Sequence, residues 1–198
     1  MTFVTCDLMT SLDGFVSGTN QTRERPFGDG DIPSLHRWMF EDGDENRAEI
    51  DDIVNAGAFI MGRNMFGPDR GPFDLEWTGW WGPEPPYHGP VFVLTHFERE
   101  PFEMEGGTSF TFVTGGPIQA MELARDVVGS DGRISVAGGA STANQYLEAG
   151  LIDELRLHVT PVLLGAGERL FEGVTPRAYE LVSSRSTSHV THVTYRTR

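Results

Sequence analysis

The ten residues from Arg133 to Thr142, RISVAGGAST, constrain this chain more than any other stretch. Ile134, Val136 and Ala137 are apolar and the first two are β-branched, so the segment opens as a short buried strand. Gly138 and Gly139 follow, and paired glycines reach backbone angles that a Cβ forbids. Ser141 and Thr142 are helix-capping types, and Thr142 with Gln145 three residues on fits a capping box. A helix start presents unpaired amides and partial positive charge, which suits a phosphate. The segment predicts a nucleotide cofactor with its diphosphate at Gly138, Gly139, Ala140, Ser141 and Thr142. A tight strand-to-helix turn that binds nothing fits the same residues.

The rest of the chain supplies a sheet around that strand. Phe3–Met9, Ala58–Gly62, Val91–Leu94, Thr108–Val113 and Glu154–Val159 are apolar or alternating runs of strand length. Ala178–Ser184 and Ser188–Thr197 are expected to close the sheet as an antiparallel pair. Helices are expected at Leu35–Glu41, at Asn46–Ala56 with Gly57 as C-cap, from Gly116 to Val128, and at Asn144–Ala149. Strands and helices alternating in this order predict an α/β fold with a mostly parallel central sheet, antiparallel C-terminal edge strands and flanking helices. Ligands of such sheets lie outside the carboxyl ends of the strands. Between Arg63 and Pro90 lie Trp77, Trp80 and Trp81 among many glycines and prolines. This segment is expected to cover a sheet edge or a subunit contact, or to form a wall for a planar substrate, with Trp81 lining it.

Composition narrows the chemistry. The 198 residues fit one domain, with 38% hydrophobic and 11% aromatic content for its core. The formal charge is −14, which disfavours nucleic acid and anionic membranes as partners. All 15 basic residues are arginine. Without lysine there is no Schiff-base chemistry, no Walker phosphate-binding lysine and no lysine base. The six histidines are scattered, and His189 and His192 are expected on opposite faces of a strand, so no metal site is expected. Cys6 is expected to be an inert buried thiol. No apolar run is long enough for a membrane span and no leader is apparent, which favours a cytoplasmic protein.

Six stretches carry a resemblance: Ser11–Gly14 (SLDG), Phe59–Asn64 (FIMGRN), Pro90–His96 (PVFVLTH), Val136–Thr142 (VAGGAST), Leu151–Leu155 (LIDEL) and Pro161–Gly165 (PVLLG). In these residues the chain resembles the dihydrofolate reductase-like superfamily. It is most similar to the reductase domain of the bifunctional riboflavin-biosynthesis deaminase/reductase, in stand-alone form. The resemblance implies an NADPH-dependent reductase that transfers hydride to a small planar or phosphorylated substrate, and a homodimer. It implies that Gly138 and Gly139, often joined by a cis peptide, turn the chain under the diphosphate, and that Ala140, Ser141 and Thr142 donate helix amides. Gly62 and Arg63 would approach the phosphates. Thr95 and His96 would hold the adenosine 2′-phosphate, which favours NADPH over NADH.

The resemblance further implies that Ser11–Gly18 closes over the nicotinamide, with Ser11 and Gly165 on the substrate side and Asp13 as the candidate proton donor. A turn aspartate bonded to local amides is the other reading of Asp13. The deaminase half is absent, and the acidic residue of folate-reducing enzymes has no match on the first helix. A non-catalytic nucleotide-binding dimer, or a flavin or deazaflavin in the same pocket, is also compatible with these residues. A short-chain dehydrogenase is not, because no G-x-G-x-x-G follows the first strand and no lysine can partner a catalytic tyrosine.

Overall fold

The computed structural model describes residues 1–197. Its elements, in chain order, are β1 (Phe3–Thr10), β2 (Phe15–Ser17), α1 (Ile32–Phe40), α2 (Arg47–Ile53), β3 (Ala58–Gly62), α3 (Arg63–Phe66), β4 (Pro90–Leu94) and β5 (Phe102–Glu103). There follow β6 (Ser109–Val113), α4 (Gly116–Val128), β7 (Arg133–Gly138), α5 (Ala140–Glu148), β8 (Glu154–Val159), β9 (Glu168–Arg169), β10 (Tyr179–Ser186) and β11 (Thr191–Thr197). Nine strands form one sheet in the order β10-β11-β8-β1-β7-β3-β4-β6-β5. The six strands from β8 to β6 pair in parallel, while β11 and β10 are antiparallel at one edge and β5 at the other. The mostly parallel sheet with antiparallel C-terminal strands is as the sequence predicts. The short β5 edge and the small β2–β9 ribbon are additions.

Strand alternation sends side chains to two different layers. Val4, Cys6, Leu8, Ile134, Val136, Leu155 and Leu157 join Ala124 of α4 and Leu147 of α5 in one core. Phe59, Met61, Val91, Val93 and Phe110 form the second core on the opposite face. The Trp-rich segment builds that second core: Phe66 and Tyr87 are buried in it, and Trp77 and Trp81 pack against it. Trp77 Nε1 donates to the Phe66 carbonyl at 2.9 Å. The segment thus covers a sheet face rather than an edge, because the parallel strands β3, β4 and β6 are apolar on both sides and need a second layer.

Several boundaries differ from the sequence expectation. The glycine pair leads directly into α5, which starts at Ala140 instead of Asn144. Thr142 lies inside the first turn, and Gln145 Nε2 donates to the Ser141 carbonyl at 3.0 Å, so no capping box forms. α1 starts earlier, at Ile32, where the Asp31 side chain accepts the Ser34 amide at 3.3 Å. α2 stops at Ile53, so Gly57 is not its C-cap; its amide instead donates to Arg133 at 2.9 Å as the chain enters the sheet. His189 precedes β11 rather than lying in it, and it joins His192 on the side of the α1–α2 connection, bonding Asp42 at 2.6 Å. Cys6 is fully buried, and burial pushes its thiol pKa well up, as an inert thiol requires.

Phe66 is enclosed by Phe73, Phe102, Phe110 and Phe112, with ring centroids 5.2 to 6.4 Å away. Truncation there leaves a cavity that rigid neighbours cannot fill. Phe66→Ala is expected to lower unfolding free energy by about 3–5 kcal/mol in urea titration. A loss under about 1 kcal/mol would mean that the Trp-rich segment is not part of the core.

Candidate active site

The carboxyl ends of β1, β3, β4, β6 and β7 open onto a cleft of about 1150 Å³. The fold brings Gly62 and Arg63 from the end of β3, Thr95 and His96 from the end of β4, and the run Gly138 to Thr142 onto its wall. These are the nine residues expected to hold a cofactor. Gly138 adopts φ +114°, a conformation that L side chains rarely take, and its peptide to Gly139 is cis. Gly139 caps α5 without a side chain, and the first helical bond runs from the Ala143 amide to its carbonyl at 3.0 Å. The amides of Ala140, Ser141 and Thr142 therefore have no acceptor within the helix. A Cβ on Gly139 would meet no atom within 4 Å, so its open side is room for a ligand. A Cβ on Gly62 would meet Thr142 Oγ1, so the Thr142 hydroxyl can point at β3 as it does only because residue 62 is glycine.

Arg63 supplies charge to this end. Its guanidinium lies 3.4 Å from the Phe73 ring centroid, and its Nη1 donates to the Gly71 carbonyl at 3.2 Å and lies 3.5 Å from Thr95 Oγ1. Among the described residues no carboxylate pairs with it, and burial pulls its pKa down. Thr95 Oγ1 accepts the Phe97 amide at 3.1 Å, which fixes the turn after β4. Helix amides, an open glycine and an unpaired guanidinium on one wall fit a diphosphate-bearing cofactor.

The expected substrate-side residues divide. Trp81 lines the cleft, with its ring centroid 5.1 Å from that of Tyr87. Ser11, Asp13 and Gly165 come together elsewhere, off the cleft wall. Asp13 accepts the Ser11 hydroxyl at 2.6 Å and the amides of Leu164 and Gly165 at 3.1 and 2.7 Å. The Ser11 bond, with the two amides, holds its pKa at about 2. A carboxylate held ionised in this way braces a turn and carries no proton at neutral pH. These contacts are those of the turn reading of Asp13.

Three cleft residues were missed by sequence reasoning: Asp7 of β1, Trp38 of α1 and His158 of β8. A carboxylate inside the run FVTCDLMT was the available signal. Asp7 is 7% exposed, and its Oδ1 lies 3.6 Å from Arg156 Nη1 and 3.9 Å from His158 Nε2. Arg156 is shared with Glu154, 2.7 Å away, and with Asp52, which Arg133 also contacts at 2.7 Å. Burial raises the Asp7 pKa to about 6 against the pull of Arg156 and Arg133. Burial and the neighbouring His192 lower His158 to about 3. No helix is long and apolar enough to cross a membrane, and no group of three or more His, Cys, Asp or Glu could hold a metal among the described residues.

A family model described as the RibD C-terminal domain matches residues 2–193. A Bacillus subtilis (strain 168) protein, YyaP, described as uncharacterized, is 28% identical over 96% of this chain and 92% of its own length. A candidate riboflavin biosynthesis protein from Shewanella sp. PV-4 superposes with TM-score 0.63 at 22% identity, over 100% of this chain and 99% of that one. A Thermotoga maritima diaminohydroxyphosphoribosylaminopyrimidine deaminase/5-amino-6-(5-phosphoribosylamino)uracil reductase superposes with TM-score 0.61 at 14% identity, and this chain spans 57% of it. The two solved structures share the fold.

Two variants test the geometry. Gly139→Val is expected to lower the urea midpoint only modestly, because its Cβ enters open space while the helix cap is weakened, and to remove binding of a diphosphate nucleotide in calorimetry. Unchanged binding would put the anchor elsewhere. Asp7→Asn tests the buried carboxyl. A pKa raised on folding contributes stability that is present below pH 4 and lost as pH rises through about 6. The variant's unfolding free energy is therefore expected to gain on wild type by about 1 kcal/mol per pH unit between roughly pH 4 and 6, and to stay parallel above roughly pH 7. Parallel curves throughout would mean that Asp7 titrates normally.

Proposed function

From the premise that this chain belongs to the RibD C-terminal domain family, we propose that it is a reductase that binds NADPH in the cleft and reduces a small substrate beside it. The observation that carries this reading is the uncapped first turn of α5 beside the open face of Gly139 and the unpaired Arg63. When bound, NADPH supplies a hydride. The chain's share is positioning and exclusion of water. The amides of Ala140, Ser141 and Thr142 would hold the diphosphate, and Arg63 with Thr95 and His96 would hold the 2′-phosphate. Trp80, Trp81 and Tyr87 line the cleft as apolar rings that keep water from the reacting faces. The fold shared with the Thermotoga maritima deaminase/5-amino-6-(5-phosphoribosylamino)uracil reductase is in keeping with this reading.

Trp38, Trp80 and Trp81 line the cleft, so NADPH should quench tryptophan emission in titration, and absorbance loss with candidate substrates would report turnover. Thr95→Asp can still accept the Phe97 amide, but it places a carboxylate beside Arg63 where the 2′-phosphate is expected. It should weaken NADPH about tenfold or more while changing NADH little, since a buried like-charge contact costs about 1.4 kcal/mol or more. Equal weakening of the two coenzymes would remove the case for NADPH, and no quench by either would remove the reductase.

A further inference from the structure

Arg63 is open to an anion although a carboxylate stands on the same stretch of cleft wall. Asp69, Arg70 and Gly71 line the cleft with Arg63, and Arg63 Nη1 donates to the Gly71 carbonyl at 3.2 Å, two residues beyond Asp69. Asp69 is near enough to Arg63 for their charges to act on each other, yet the two do not pair. An aspartate this exposed turns easily toward a neighbouring guanidinium, and that pair would cancel the charge an anion needs. Asp69 does not turn because another cation holds it.

That cation is Arg23, at the tip of the segment 18–31 that runs from β2 to α1. Its Nε donates to Asp69 Oδ2 at 3.0 Å, and its Nη2 donates to the same oxygen and, at 2.8 Å, to Asp74 Oδ2. Its guanidinium lies 4.7 Å from the Trp77 ring centroid, and Trp77 is itself fixed to the Phe66 carbonyl. The segment keeps its shape by other bonds. Gly18 and Asp29 donate to the carbonyls of Phe27 and Thr19 at 2.9 and 2.7 Å, and Thr22 and Arg25 exchange backbone bonds at 3.0 and 3.1 Å. The Phe27 ring packs on His36 with centroids 3.8 Å apart. The other arginines of this end have uncharged partners: Arg70 the Asn64 side chain, and Arg99 the carbonyls of Trp77 and Leu75 at 2.7 and 3.0 Å. Holding Asp69 thus falls to Arg23, which does not itself line the cleft. Exposed ion pairs add little to stability, so what Arg23 contributes is the placement of charge.

We infer that Arg23 is a positioning residue: by holding Asp69 it keeps the Arg63 guanidinium free for a phosphate, and so sets the anion affinity of the cleft from outside its wall. The inference deepens the reductase reading and rests on it for the identity of that phosphate, the 2′-phosphate of NADPH.

The test is calorimetry of NADPH and NADH against wild type, Arg23→Ala and the double variant Arg23→Ala/Asp69→Asn, with a crystal structure of ligand-free Arg23→Ala. Arg23→Ala is expected to weaken NADPH about fivefold or more and to change NADH less than about twofold, because NADH has no 2′-phosphate. Adding Asp69→Asn is expected to return NADPH to within about twofold of wild type. In the crystal structure the Asp69 carboxylate is expected to pair with Arg63. A segment that had only lost its shape would weaken both coenzymes and gain nothing from the change at Asp69. That result overturns the inference and leaves the reductase reading intact, as does unchanged NADPH binding in Arg23→Ala, or an Asp69 still clear of Arg63 in its crystal structure. No NADPH binding to wild type ends the coenzyme reading instead, and the crystal structure then upholds or overturns the hold of Arg23 on Asp69.

Discussion

The close approach of β3 to the first turn of α5 sets the rest of this structure. Thr142 Oγ1 occupies the place where a side chain on Gly62 would begin. That contact brings the end of β3, and with it Arg63, beside the uncapped amides of Ala140 and Ser141. A Cβ at Gly62 would turn the Thr142 hydroxyl away from β3. Gly139 is the converse case, because its missing Cβ leaves room for a ligand instead of for protein. Two glycines thus do opposite work in one cleft wall: one closes the protein on itself and the other keeps it open.

The absence of lysine gives the charges an order of their own. Every cation is a guanidinium, and those on the sheet face that carries α1 are tied to carboxylates: Arg133 to Asp52, Arg156 to Asp52 and Glu154, and Arg196 to Glu154 at 2.9 Å. The network offsets the burial of Asp7 only in part, which leaves its carboxyl above the ordinary range. Arg63 differs because its direct contacts are the Phe73 ring and the Gly71 carbonyl, with Asp69 near but not paired to it. A guanidinium without a carboxylate partner and a group of buried carboxylates therefore line a single cleft of an acidic protein, among the described residues.

Most of the architecture was legible because parallel strands buried on both faces appear as short continuous apolar runs, as in Ala58–Gly62 and Val91–Leu94. The nine residues expected to hold a cofactor fall in one cleft because they sit at the ends of such strands, where topology gathers them. The start of α5 was not, because Ser141 and Thr142 are equally good caps and first-turn residues, and only the packing of Thr142 on Gly62 decides between them. The partners of Asp13, the amides of Leu164 and Gly165, were not legible because they come from a turn far along the chain. Asp7, Trp38 and His158 escaped for the same reason. Each looks like a structural residue in its own segment, and their common cavity exists only once α1 lies across β1 and β8.

The central claim is that main-chain amides at the start of α5 clasp a nucleotide diphosphate. A crystal structure of the protein with NADP⁺ tests it most directly. Density for the diphosphate within hydrogen-bond reach of the Ala140 and Ser141 amides, over the open face of Gly139, is the predicted result. Density for that group at any other place on the molecule would contradict the account.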